Sequence, residues 1–189
     1  MTKYILHGGF TSEINELNNS FYRELTRDVD DGAKILFVYF SRNLDEYSGL
    51  FENDRQRTLE NTDRDNLNFI LASQETFLDQ LKDSDVVYMR GGNTNQLMHT
   101  LKKFPNLSDS FEGKTIAGSS AGAYALATWG TAHNEDSARQ GLGILPVKVI
   151  CHHQSEKLPP TESSVKEIQE LDKDLELVLL KDFEWKVFN

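Results

Sequence analysis

Residues Ala117 to Leu126, AGSSAGAYAL, set two serines among small side chains, between an apolar strand-like run and a helix-like one. Read in register, Gly118-Ser119-Ser120-Ala121-Gly122 fits Gly-x-Ser-x-Gly with Ser120 at its centre. In such an elbow the serine occupies a strained strand-to-helix turn, and larger flanking side chains would collide where strand and helix approach. Gly118, Ala121, Gly122 and Ala123 are all small, which leaves Ser119 as the spacer. A helix starting after Ser120 also aims backbone N–H groups at any oxyanion formed there, and the Ala121 N–H is the natural donor. The competing reading is ordinary packing, because small residues are common at such corners and the pattern alone often arises by chance.

A serine hydroxyl needs a base, usually a histidine oriented by a carboxylate. Of His7, His99, His133, His152 and His153, the last two close a strand-like run, VKVIC, downstream of the elbow. One of them should emerge on the same edge of a parallel sheet as Ser120. His99 falls within a helical stretch, His133 in a loop, and His7 in a glycine turn near the site. Adjacent histidines on a strand point to opposite faces, and no HExxH-like spacing accompanies them, so the pattern offers no metal site. Asp182, after the run LELVLL, is the leading candidate for the acid, with Glu184 two residues on; Glu135 and Asp136 form a second pair. A second oxyanion donor should come from a glycine turn after a neighbouring strand, and RGGNT, Arg90 to Thr94, has that character. Neither GxxxxGK[ST] nor GxGxxG is present, which argues against nucleotide binding.

The elements that must position these residues are legible from periodicity. Lys3–Leu6 reads as a strand, Ser12–Arg27 as a helix with Ile14, Leu17, Phe21 and Leu25 on one face, and Lys34–Phe40 as a central strand covered on both sides. The polar stretch Asp45–Thr62 reads as an exposed helix and Leu67–Leu71 as a short strand. Glu75–Leu81 reads as a helix, Asp85–Met89 as a strand, and Asn95–Lys103 as a helix that Pro105 ends. Lys114–Ala117 enters the elbow, helix continues through Tyr124–Thr128, and Gly130–Gly143 reads as a loop over the site. Val147–Cys151, Leu175–Leu180 and Trp185–Phe188 read as strands, and Glu162–Leu171 as a helix. Strands alternating with helices predict one α/β domain over 1–189, three-layered, with a mostly parallel doubly wound sheet and helices on both faces. Functional loops then gather at the carboxyl ends of the strands.

Composition narrows the chemistry. The 189 residues are 38% hydrophobic and 26% charged, as in a globular chain, and no apolar run approaches the length of a membrane helix. A formal net charge of −10 argues against nucleic acid, whose phosphates need clustered Lys and Arg. The single cysteine, Cys151, and the lack of a signal-peptide-like start lead to the expectation of a cytoplasmic protein with no membrane association.

With a GGNT turn after one strand, GSSAGA after the next and LGILPVKVICHH after that, nearly the whole chain resembles the serine dipeptidase family of aspartyl dipeptidase (peptidase E) and cyanophycinase. The resemblance implies a fold like class I glutamine amidotransferase domains, a serine nucleophile, and no metal or cofactor. It implies Ser120 as nucleophile, His152 rather than His153 as base, and Gly91 or Gly92 with Ala121 as oxyanion hole. Asp182 is implied as acid, with Glu184 and then Glu135 as alternatives. The family's GGG is RGG here, which puts Arg90 at the mouth of the expected site, with Asn93 beside it as a second substrate-binding candidate. Aspartyl-specific members hold the acidic residue with an arginine after the histidine; the aligned position here is Lys166, a third substrate-binding candidate, so that specificity is not implied. The chain ends at Asn189, shorter than typical members, which leads to the expectation of a sheet edge that is exposed or paired with a second copy in a homodimer. The implied activity is hydrolysis of small peptides. A non-catalytic ligand-binding protein on this scaffold is the alternative of another class, and an esterase or acyl transferase with the same triad is a closer one.

Overall fold

Short apolar runs alternate with amphipathic ones along the chain, and the strands and helices follow that alternation. The computed structural model describes residues 1–131, 133 and 135–189. In order come β1 (Lys3–His7), α1 (Glu16–Thr26), β2 (Lys34–Val38), α2 (Tyr47–Asn61), β3 (Asn68–Leu71), α3 (Phe77–Lys82), β4 (Val86–Met89), α4 (Thr94–Leu101) and α5 (Leu107–Ser110). The second half continues with β5 (Thr115–Ser119), α6 (Ala121–Leu126), β6 (Ala127–Thr131), β7 (Arg139–Gln140), β8 (Leu145–Ile150), α7 (Glu162–Glu170), β9 (Glu176–Leu179) and β10 (Trp185–Phe188).

The strands form two mostly parallel sheets flanked by helices. One is ordered β10-β1-β5-β4-β2-β3, parallel except where β10 runs against β1. Alternate residues of β2 serve its two faces, as strand geometry requires. Ile35 and Phe37 join Tyr88, Phe21 and Leu25 on one side, while Leu36 and Val38 join Met89, Leu97 and Leu126 on the other. The continuous apolar run is therefore a strand buried on both faces. The other sheet, β7-β6-β8-β9, adds Val147, Val149 and Val178 to the second of these clusters.

Two features differ from the periodicity reading. Strand β6 begins at Ala127, directly after α6, where helix was expected through Thr128. Thr128, Trp129 and Thr131 suit a pleated surface better than a helix, and β8 supplies the parallel partner. The expected loop 130–143 accordingly holds the end of β6 and all of β7, with residues 132 and 134 outside the described residues. Because β8 and β9 pair with β6, the histidine strand lies in a different sheet from the elbow strand, rather than on the same sheet edge.

The second difference is α2, expected as an exposed helix. Its buried face is polar: Asp54, Arg57 and Thr58. A periodicity search for apolar residues cannot see such a face. Asp54, fully buried, accepts hydrogen bonds from Tyr22 Oη at 2.7 Å and Tyr39 Oη at 2.8 Å, and pairs with Arg90. Arg57 lies over the Tyr22 ring, 5.3 Å from its centroid, and donates to Asn19 at 2.8 Å. Removing the carboxylate leaves the Arg90 charge buried and unpaired, which makes Asp54→Ala destabilising by about 3–5 kcal/mol. Urea unfolding followed by circular dichroism checks this; a change below about 1 kcal/mol would show the network to be dispensable.

Candidate active site

Strand β5 ends at Ser119 and α6 begins at Ala121, so Ser120 alone makes the corner. Its φ is +48° and ψ −108°, outside the ordinary regions for a residue with a side chain. The corner is as tight as the small-residue pattern demands, since a Cβ on Gly118 would lie 2.3 Å from the Gly122 carbonyl carbon. Ala121 is the first residue of α6, so its N–H has no acceptor within the helix.

His152 follows β8 and lies with its ring against this corner. Its Nε2 is 3.0 Å from Ser120 Oγ, and its Nδ1 is 2.7 Å from Asp182 Oδ1, beyond β9. A carboxylate only accepts, so Nδ1–H donates to Asp182, and in the neutral ring Nε2 accepts from the Ser120 hydroxyl. The imidazole is buried, and Phe10 meets it edge-on at 5.0 Å. His153 instead has its backbone N–H on Leu180 at 3.0 Å and, among the described residues, no side-chain bond to Ser120.

The sequence reading missed how these segments are joined. The turn His7-Gly8-Gly9 after β1 bonds to all three. Ser120 N–H donates to the His7 carbonyl at 2.9 Å, His152 N–H to Gly8 at 3.2 Å and Phe183 N–H to Gly9 at 3.2 Å, while Gly8 N–H donates to Glu184 at 2.8 Å. Gly9 has φ +128°, and a Cβ there would lie 2.2 Å from His152 Cε1, so only glycine admits the ring. The signal for this hub is the pair of glycines after His7, a turn that the sequence reading placed near the site without giving it a role.

His7 is fully buried and fixes the turn from inside. Gly9 N–H donates to its Nδ1 at 2.9 Å, so Nε2 carries the proton and donates to Asn18 Oδ1 at 2.9 Å. The Asn18 amide donates in turn to the carbonyls of Phe10 and Glu13. Burial pushes the His7 pKa down to about 3, assisted by His152 and opposed by the Asn18 bond and the Asp182 charge.

The remaining candidates fall in varied places. Gly91, Gly92, Asn93, Ser120 and Ala121 line a cavity of about 700 Å³, together with Arg42, Glu135 and Tyr124. Gly91 N–H is already donated to Ser119 Oγ at 3.0 Å, and that hydroxyl also bonds Tyr88 Oη at 3.1 Å. Ser119 therefore holds the glycine turn and is more than a spacer. Asn93 caps α4, accepting from Gln96 N–H at 3.0 Å. Arg90 borders the same cavity, but its guanidinium turns inward onto Asp54 and Ser12, where burial opposes its charge and Asp54, Tyr88 and Tyr22 together outweigh that and raise its pKa. Lys166 is exposed on α7 and does not line the cavity. The Glu184 carboxylate accepts from Lys181 N–H at 3.0 Å, within its own turn. Glu135 lines the cavity but pairs with Arg139 at 2.6 Å instead of reaching His152.

One comparison identifies a family and another the fold. The sequence pattern of peptidase family S51 matches residues 5–188. Among solved structures, the fold is similar to that of a peptidase from an acI-B1 actinobacterium, with a TM-score of 0.73 at 21% identity over 100% of this chain and 84% of that one. It is also similar to a candidate peptidase E protein of Listeria monocytogenes EGD-e, with a TM-score of 0.65 at 16% identity over 100% and 97% of the two chains. No curated protein matches the chain. Among the described residues, no helix is long and apolar enough to cross a membrane.

His7 links this geometry to pH. Its pKa lies near the ordinary 6.5 in the unfolded chain and about 3 in the folded one, so the unfolded state alone binds the proton between those values. The stability that follows is complete above pH 6.5 and is lost as pH falls toward 3, with a slope approaching about 1.4 kcal/mol per pH unit. Urea unfolding at steps from pH 7 to 4 should show about one proton less taken up on unfolding in His7→Gln than in the parent. Equal slopes would place the His7 proton elsewhere.

Proposed function

The chain belongs to peptidase family S51 and is a serine-type peptidase; on that premise we propose that it hydrolyses small peptides, dipeptides among them, through an acyl-enzyme on Ser120. The observation that carries this reading is the line from Ser120 Oγ through His152 to Asp182, with bonds of 3.0 and 2.7 Å. His152 Nε2 takes the hydroxyl proton as Ser120 Oγ bonds to the substrate carbonyl carbon. Asp182 holds the imidazole in the required tautomer and stabilises the imidazolium that forms. The Ala121 N–H and one amide of the glycine turn receive the oxyanion. Collapse breaks the C–N bond, and the leaving amine departs with the proton from His152. Water, deprotonated by the same ring, then attacks the ester and frees Ser120.

The cavity supports the substrate size. About 700 Å³ suits a ligand of a few residues rather than an extended chain. No step calls for a metal or cofactor.

Turnover of a panel of dipeptides and aminoacyl p-nitroanilides should disappear in Ser120→Ala, and Asp182→Asn should lower kcat by up to about 10⁴-fold. A fluorophosphonate probe should label Ser120 in a manner that needs His152. Full peptidase activity in purified Ser120→Ala overturns the mechanism, and absence of labelling in the folded parent favours a ligand-binding protein. Esters turned over while every peptide is refused would move the reading to an esterase.

A further inference from the structure

The glycine turn after β4 has two amides, and among the described residues only one of them has a protein acceptor. Gly91 N–H is held by Ser119 Oγ at 3.0 Å. Gly92 N–H has no protein acceptor among the described residues, and Gly92 is exposed to the cavity. Its direction is set by the peptide to which it belongs. The Gly91–Gly92 bond is trans, so its carbonyl and its N–H point in opposite directions. The Gly91 carbonyl accepts from Arg42 Nε at 2.6 Å.

Strand order then decides where the N–H goes. Arg42 follows β2 and Ser120 follows β5, and β4 lies between those strands. A carbonyl drawn toward Arg42 on the β2 side sends the N–H of the same peptide toward Ser120 on the β5 side. We propose that Arg42 is a positioning residue of the oxyanion hole: its Nε, by holding the Gly91 carbonyl, aims the Gly92 N–H at the oxygen that develops charge on Ser120 attack. The proposal rests on Ser120 as nucleophile.

Arg42 is built for this task more than for binding substrate. Its NH1 pairs with Glu46 at 3.3 Å, and Glu46 also accepts from Asn43 N–H at 3.0 Å. Its own carbonyl accepts from Gln96 on α4 at 2.9 Å. Ser41 adds two bonds beside it, donating to the Arg90 carbonyl and accepting from Asn93 N–H, both at 2.8 Å. The turn is thus fixed from the β2 side by Ser41 and Arg42 and from the β5 side by Ser119. Glycine is isotropic at this position, and nothing in Gly91 or Gly92 itself prefers one orientation of their shared peptide.

Loss of a whole oxyanion donor costs about 10²–10³ in kcat, and a donor that is only misdirected costs less. Arg42→Met should therefore lower kcat on aminoacyl p-nitroanilides by about 10–100-fold while KM stays within about threefold, because the bond strengthens only in the transition state. Fluorophosphonate labelling of Ser120 should slow in parallel yet run to completion. Arg42→Lys, which keeps a donor able to reach the carbonyl, should recover much of the loss. Unchanged kcat in Arg42→Met overturns the proposal, as does a raised KM at constant kcat, which would make Arg42 a substrate ligand. If Arg42→Met does not fold by circular dichroism, Ser119→Ala gives the same readout by freeing Gly91 N–H from the opposite side. Ser120→Ala with full activity would remove the nucleophile reading, and this proposal with it, whereas an inactive Ser120→Ala beside an unaffected Arg42→Met removes the proposal alone.

Discussion

The structure depends on one backbone turn, His7-Gly8-Gly9, where strand β1 stops and four main-chain hydrogen bonds converge. Ser120 follows a strand of the six-stranded sheet, whereas His152 and Asp182 follow strands of the four-stranded one. Two sheets that diverge would not by themselves hold three side chains to hydrogen-bond tolerance, which for catalysis is about 0.5 Å. The turn removes that freedom by bonding to the elbow, to the histidine backbone and to the loop of the acid. Buried neutral His7, donating to Asn18 and accepting from Gly9, keeps the turn itself from rotating.

Strain is concentrated around the same point. Ser120, His152, Phe10 and Phe183 all have positive φ, at +48°, +54°, +59° and +71°. Such conformations cost about 1–3 kcal/mol each and persist only where surrounding structure over-determines them. Here the over-determination is visible in the converging bonds and in the edge contact of Phe10 with the His152 ring. Beneath the glycine turn, the Asp54–Arg90 pair with Tyr22 and Tyr39 makes a second rigid support, polar but fully satisfied at the carboxylate. A packed apolar patch would fill the same volume, yet would not orient Arg90, whose backbone starts the turn.

What was legible in the sequence was whatever depends on residue type and spacing. Small residues around Ser120 mark a corner because strand and helix cannot otherwise approach, and the apolar run in β2 marks a strand covered on both faces. Strand ends locate functional loops, which is why the pair His152 and His153 and the acid Asp182 could be marked in advance, the choice of His152 coming from the family resemblance. The division into two sheets was not legible, because pairing partners are chosen by tertiary contact and β6 is a strand only beside β8. The polar face of α2 was hidden for the opposite reason: Asp54 and Arg57 carry the labels of surface residues, and only their mutual partners make burial tolerable. The inward pairing of Arg90 with Asp54 was hidden by the same rule. Ser119 looked like a spacer because its role depends on an amide twenty-eight positions upstream.

Cys151 shows how far placement overrides intrinsic reactivity. A thiol is the better nucleophile by nature, and this one immediately precedes His152 and borders the same cavity. Reactivity requires the thiolate, however, and burial pushes the Cys151 pKa up to about 12. Its Sγ sits 3.8 Å from the carbonyl oxygens of His7 and Ser120, which offer no base. Cys151 and His152 both lie in the turn after β8, where the left-handed backbone of His152, φ +54°, places its ring on Ser120 while the Cys151 thiol stays buried against main-chain carbonyls. The hydroxyl, weaker in water, is the group that the fold connects to an imidazole and a carboxylate. Which of the two side chains meets an imidazole is thus decided by the turn after β8 and by the bonds of the His7–Gly9 turn.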